Sequence, residues 1–109
     1  MDPARIGVTG WSYGGYMSLL LMTAENSPYA ATVAGAPPTE WTLYDTHYTE
    51  RYMGTPATDP ASYADSDVLN RVGRLKSGSL LLMHGMADDN VTFDNSTRLM
   101  AALQAQGTT

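Results

Sequence analysis

Gly10-Trp11-Ser12-Tyr13-Gly14-Gly15 stands between two stretches of opposite character. Before it, Arg5-Ile6-Gly7-Val8-Thr9 reads as a short buried strand bounded by Gly10. After it, the run from Gly15 to Glu25 is rich in strong helix formers, and Asn26-Ser27-Pro28 ends it. A chain that passes from strand to helix in so few residues must turn sharply. Glycines two before and two after Ser12 are expected to let strand and helix approach each other. The turn would project the Ser12 hydroxyl beyond the carboxyl end of the strand. It would also place the backbone N–H of Tyr13 at the helix start, where it can face an oxyanion. Read as architecture alone, the same residues make a glycine-rich turn whose serine caps a helix. The flanking strand and helix and the third glycine favour the catalytic reading, a nucleophile elbow of the G-x-S-x-G kind.

Working outward, Ala31-Thr32-Val33-Ala34-Gly35-Ala36 is a second short strand, stopped by Pro37-Pro38. Residues 39–53 read as a loop and then a helix, and residues 54–64, with Pro56 and Pro60, as a loop. A short helix fits residues 66–74. Ser79-Leu80-Leu81-Leu82-Met83-His84 is the clearest strand, a continuous apolar run of the kind that parallel strands covered on both faces carry. Residues 92–106 form a helix with Leu99, Ala102 and Leu103 inward, ended by Gly107. Strands alternating with helices imply an α/β fold, a parallel sheet with helical crossovers. With the elbow in place this becomes an α/β-hydrolase, in part: residues 1–109 are expected to be a piece of a catalytic domain, since a complete one is considerably larger.

Composition excludes little but excludes it clearly. The 109 residues are 43% hydrophobic and 16% charged, an ordinary globular balance. A net charge of −5 argues against nucleic acid as the partner. The longest apolar run, Leu19-Leu20-Leu21-Met22, is far short of the roughly 20 residues that cross a bilayer, so no membrane segment is expected in this chain. With no cysteine there is neither a disulfide framework nor a thiolate metal site, and no metal or cofactor is implied.

Hydrolases of this class order their triad as serine, acid, histidine. The strand ending at His84-Gly85 is followed by Met86-Ala87-Asp88-Asp89-Asn90-Val91, so an acid here shares a rim of the sheet with the elbow. Asp88 is the natural triad acid and Asp89 its competitor. The competing reading is a solvated acidic turn in which Asp89 or Asn90 caps the next helix. The two histidines, His47 and His84, both precede the acid. His84, ending a strand, fits a structural role, and a serine without a base is a weak nucleophile. Trp41, Tyr44 and Tyr48 fall at i, i+3 and i+7, which would put three rings on one face of a helix. Such a stripe is more often a core face than a pocket. Arg51, with Asp45 and Glu50 nearby, reads as a loop-fixing ion pair.

Three segments carry a family resemblance. They are Gly10-Trp11-Ser12-Tyr13-Gly14-Gly15-Tyr16, Tyr44-Asp45-x-x-Tyr48-Thr49-Glu50-Arg51-Tyr52-Met53-Gly54 and His84-Gly85-x-Ala87-Asp88-Asp89-Asn90-Val91. In order and spacing the chain resembles the dipeptidyl peptidase IV branch, bacterial type, of the prolyl oligopeptidase family of serine peptidases. The resemblance implies Ser12 as nucleophile and Asp88 as the acid that orients the histidine. It implies Tyr13 as an oxyanion donor through its N–H and as a pocket wall through its ring. Trp41, Tyr44, Tyr48 and Val91 would complete a proline pocket, with Pro38 where relatives often have valine. Asn90 would bind a substrate carbonyl. A proline ring is compact, apolar and without an N–H, so rigid aromatic walls suit it.

The implied substrate is a peptide with proline, or less readily alanine, at its second position. Relatives carry a β-propeller ahead of this region, a further oxyanion tyrosine, and a catalytic histidine some tens of residues beyond the acid. The expectation is therefore a fragment without its propeller and without its base, inactive as an isolated chain. Family members are often periplasmic or surface enzymes and often homodimers. Another prolyl oligopeptidase-type peptidase, an esterase on the same fold, and a non-catalytic hydrolase-like module are the alternatives.

Overall fold

Strands β1 (Gly7–Trp11), β2 (Ala31–Gly35) and β3 (Leu80–Met83) pair in parallel, in the order β1-β2-β3, in the computed structural model, which describes residues 1–108. Parallel neighbours cannot be joined by a tight turn, so each connection crosses over the sheet. The first crossover is α1 (Tyr13–Met22). The second runs through a 3-10 turn at Trp41–Leu43, α2 (Thr46–Met53), α3 (Pro60–Ser66) and a 3-10 helix at Val68–Arg74. Helix α4 (Asp94–Ala105) follows β3. The alternation read from the sequence is thus the α/β fold observed.

The register fixes where the chain leaves the sheet. Trp11 lies opposite Gly35, and Gly35 opposite Met83, so all three strands end level with one another. Ser12, Ala36 and His84 therefore emerge on one rim. Ala36 does so at φ 41, which turns the chain out of strand geometry and ends β2 at Gly35, while its N–H still donates to the Met83 carbonyl.

A single core holds these elements. Tyr16 and Leu19 from α1 meet Ala34, Trp41, Tyr63, Val68 and Leu99, with Leu80, Leu82 and Leu103 packed against them. Full burial of a side chain such as Leu19 or Leu99 stabilises the fold by about 1.5–3 kcal/mol. The core lies on one side of the sheet. Successive strand residues point to opposite faces, so Leu81 and Met83 face away from it and stay 56% and 41% exposed, beside Trp11 at 61%. The apolar run of β3, expected to be covered on both faces, is covered on one among the described residues.

Two boundaries differ from the sequence reading. Strand β1 runs to Trp11, the last residue before Ser12, so the sheet reaches the turn itself. Residues 54–64, expected as loop, contain the start of α3. Asp59 caps it through Oδ1, which accepts the Ser62 N–H at 3.1 Å, and Oδ2, which accepts the Ser62 hydroxyl at 2.6 Å. Pro60 sits in the first turn, where its missing N–H costs nothing. Tyr63 then donates to the Gly54 carbonyl at 2.8 Å and closes the segment on itself.

Candidate active site

Ser12 is the one residue between β1 and α1, and it turns the chain at φ 56 and ψ −121. For a residue with a side chain this conformation costs on the order of 1–3 kcal/mol, and the surroundings must hold it there. They do so through the backbone. The Ser12 N–H donates to the Gly35 carbonyl at 2.8 Å, and the Ser12 carbonyl accepts from the Tyr16 N–H at 3.0 Å. The hydroxyl caps nothing in α1, so the serine is not serving as a helix cap. Tyr13 opens α1, where a backbone N–H has no acceptor within the helix.

The glycines divide their task differently from the expected pattern. A Cβ on Gly10 would overlap the Gly14 backbone, as the elbow requires. A Cβ on Gly14 would meet nothing within 4 Å. It is Gly15 that is tight, since its Cβ would stand 2.6 Å from the Gly35 carbonyl oxygen and 3.3 Å from Pro37. The physical reason is that α1 touches the neighbouring strand through its third residue, while its second faces open space.

Beyond β3, the chain turns through Asp88. Its Oδ1 accepts the N–H groups of Asn90 and Val91, both at 3.0 Å, and its side chain is 27% exposed. Helix α4 begins at Asp94 after Phe93 without a side-chain cap, so neither Asp89 nor Asn90 caps it. His84, with 1% of its side chain exposed, holds this turn from beneath. Its Nε2 lies 2.6 Å from the Val91 carbonyl and 3.7 Å from Asp88 Oδ2, and its Nδ1 lies 2.7 Å from Ser96 Oγ. Phe93 packs edge-on against the ring at 5.6 Å. His84 therefore has the structural role read for it, and both ring nitrogens are occupied. His47 is exposed on α2.

The three rings expected on one helical face lie on two elements. Trp41 opens the 3-10 turn, Tyr44 is extended at φ −106 and ψ 169, and Tyr48 belongs to α2. The break occurs because Asp45 caps α2, its Oδ1 accepting the His47 N–H at 3.0 Å. That leaves Asp45 out of the ion pair expected for Arg51; among the described residues the pair in this region is Arg98 with Glu40, at 3.1 Å. The rings meet nevertheless. Trp41 lies 5.5 Å from Tyr44, 6.2 Å from Tyr48 and 6.0 Å from Tyr13, centroid to centroid.

A cavity of about 330 Å³ opens beside them, walled by Tyr13, Tyr16, Trp41, Tyr48, Tyr52 and Met53. Tyr44 turns its hydroxyl to Asn90 Oδ1 at 3.4 Å instead, linking the aromatic segment to the acid turn. Val91 is 2% exposed, and Pro38 is buried.

Two contributors were missed in the sequence. Tyr16 packs against Trp41 at 5.0 Å and donates to the Ser66 carbonyl at 3.1 Å. Burial pushes its phenol above the usual tyrosine value, which keeps that hydrogen in place. Its position three residues after Tyr13 was the available signal. Asn95, fully buried on α4, accepts the N–H groups of Thr39 and Glu40 at 2.8 and 3.3 Å, just ahead of Trp41. One asparagine in an amphipathic helix carries no sequence signal of this kind.

Comparison with known proteins adds a second line of observation. The description of the prolyl oligopeptidase family matches residues 1–109. Dipeptidyl peptidase 4 of Bos taurus is 42% identical over 109 residues, covering 98% of this chain and 14% of that protein. Probable dipeptidyl-aminopeptidase B of Neurospora crassa is 44% identical over 104 residues, covering 94% of this chain and 11% of that protein. The crystal structure of Porphyromonas gingivalis dipeptidyl peptidase 4 superposes with a TM-score of 0.95 at 40% identity, over 100% of this chain and 15% of that one. The chain thus spans between about a ninth and a seventh of the length of these relatives.

Proposed function

The chain belongs to the prolyl oligopeptidase family of serine peptidases, and on that premise we propose that residues 1–109 are the elbow-and-acid part of an enzyme that releases dipeptides from peptide amino termini. The second residue of the substrate is proline or, less readily, alanine. The propeller and the catalytic histidine lie elsewhere in a longer protein.

The observation that carries this reading is the strained, backbone-pinned conformation of Ser12 with its hydroxyl left out of helix capping. Ser12 Oγ attacks the carbonyl of the second residue. A histidine from outside these residues takes the proton, since His84 has both nitrogens engaged. Asp88 orients that histidine. Two strand spacings separate the exits of β1 and β3, about 10 Å at the level of the sheet, a gap that one imidazole between two side chains can bridge. The Tyr13 N–H takes part of the developing negative charge. The histidine returns its proton to the leaving amine, an acyl-enzyme remains, and water releases it by the same steps.

Tyr13, Trp41 and Tyr48, which line the cavity, enclose the proline ring. Tyr44 and Val91, outside that lining, bound the site on the side of the Asp88 turn, and Asn90 donates to a substrate carbonyl. Tyr44 and Asn90 already meet at 3.4 Å, which joins the ring wall to the polar contact.

The test uses the complete encoded protein. Gly-Pro anilide is expected to be cleaved, and a simple acyl ester poorly. Asp88→Asn is expected to lower kcat roughly 10³–10⁴-fold through loss of histidine orientation. Preference for the ester would indicate an esterase, and no turnover of either would indicate a non-catalytic module.

A further inference from the structure

Asn95 and Ser96, adjacent in the first turn of α4, are 0% and 1% exposed although both are polar. Burying an amide and a hydroxyl is unfavourable unless their hydrogen bonds are made. Theirs go to two different loops. Asn95 Oδ1 accepts the N–H groups of Thr39 and Glu40, and its carbonyl accepts the Thr39 hydroxyl at 2.8 Å. Its own amide donates to the Thr92 carbonyl at 3.1 Å. Thr39 and Glu40 lead directly into Trp41, whose ring touches Tyr13, Tyr44 and Tyr48.

Ser96 reaches the other loop through His84. The Val91 carbonyl can only accept, so Nε2 carries a hydrogen toward it, and Nδ1 shares a hydrogen bond of 2.7 Å with the Ser96 hydroxyl. This relay ties Val91 down from its carbonyl side, while its N–H is bound by Asp88.

We infer that Asn95 and Ser96 are positioning residues with divided tasks: Asn95 places the aromatic wall, and Ser96, through His84, places the turn that carries Asp88. One rigid helical turn then sets wall and acid relative to each other. The inference rests on the peptidase reading above, and neither residue touches substrate.

The experiment measures Gly-Pro and Gly-Ala anilide kinetics on the complete protein. Asn95→Ala is expected to raise KM for Gly-Pro anilide about tenfold and narrow the preference for proline, with kcat within about threefold. Ser96→Ala is expected to lower kcat about tenfold with KM within about threefold, since a misplaced acid costs rate rather than binding. Ser96→Thr, which keeps the hydroxyl, should restore kcat. In an Asp88→Asn background Ser96→Ala should add less than about twofold, whereas Asn95→Ala should keep its whole effect. Where Asn95→Ala folds poorly, Thr39→Val removes the hydroxyl bond without altering α4 and should move KM the same way. KM and kcat changing together in both variants, or Ser96→Ala acting in full without Asp88, overturns the division of tasks. Should Ser12→Ala or Asp88→Asn leave turnover intact, the peptidase reading itself fails. Dependence on both without the split removes the positioning inference alone.

Discussion

The backbone N–H of Ser12 donates to the Gly35 carbonyl across 2.8 Å, pinning the residue that departs from β1 to the strand beside it. That bond is what lets a serine stand at φ 56 and ψ −121, a conformation glycine adopts more cheaply. If Ser12 is the nucleophile proposed above, function and stability pull against each other at this position.

Ser12→Gly is expected to stabilise the protein by about 1 kcal/mol relative to Ser12→Ala, because it relieves the strain that alanine retains. Both variants should lose turnover. Thermal unfolding of the two side by side checks this, and equal midpoints would mean that the elbow stores no strain.

The glycines after the serine give a sharper contrast. Gly15→Ala sets a methyl 2.6 Å from the Gly35 oxygen and should destabilise by roughly 1–3 kcal/mol, as overpacking does. Gly14→Ala meets open space and should keep the melting temperature within a few degrees. Equal damage from both would move the tight contact back to the second glycine of the motif.

The elbow, the three strands and α4 were legible because each rests on local order: a strand-to-helix switch at Ser12, short apolar runs at Val8, Val33 and Leu81, and a helical stripe through Leu99. Helix α3 was hidden because Pro60 is as good a helix starter as a loop marker, and only the Asp59 cap decides between them. The single helix drawn through Trp41, Tyr44 and Tyr48 failed for a related reason, since Asp45 starts a new helix in the middle of the spacing. Asp88 could be proposed as a triad acid from its place after β3, but its bonds to Asn90 and Val91 are backbone contacts that leave no mark on residue type. Contacts between distant loops, such as Asn95 with Thr39, were beyond reach for the same reason.

Under the proposed function, Trp41 and Tyr48 should separate folding from substrate binding. Trp41, 7% exposed and central to the ring cluster, should cost about 3–5 kcal/mol when replaced by alanine. Tyr48 is 41% exposed, so Tyr48→Ala should leave the melting temperature near its original value while raising KM for Gly-Pro anilide roughly tenfold. A Tyr48→Ala variant with unchanged KM would place the proline ring elsewhere.

The Asp59 cap gives α3 a pH dependence of defined sign. The Ser62 hydroxyl and N–H hold its carboxyl below the usual aspartate value. Its contribution is therefore present above the unfolded value of about 3.9 and lost as the pH falls through the lower native one. Amide exchange across 60–66 should quicken in Asp59→Ala at neutral pH, and the difference from the unaltered protein should vanish in strong acid. A difference that persists there would assign the protection to something other than the ionised cap.

The central claim is that Ser12 is the nucleophile, and labelling tests it most directly. The complete protein is treated with a fluorophosphonate, residual Gly-Pro anilide turnover is followed, and the adduct is mapped by peptide mass spectrometry. The account requires a single adduct on Ser12 whose formation tracks the loss of turnover. Inactivation with the adduct on another residue, or full turnover by Ser12→Ala, would contradict it.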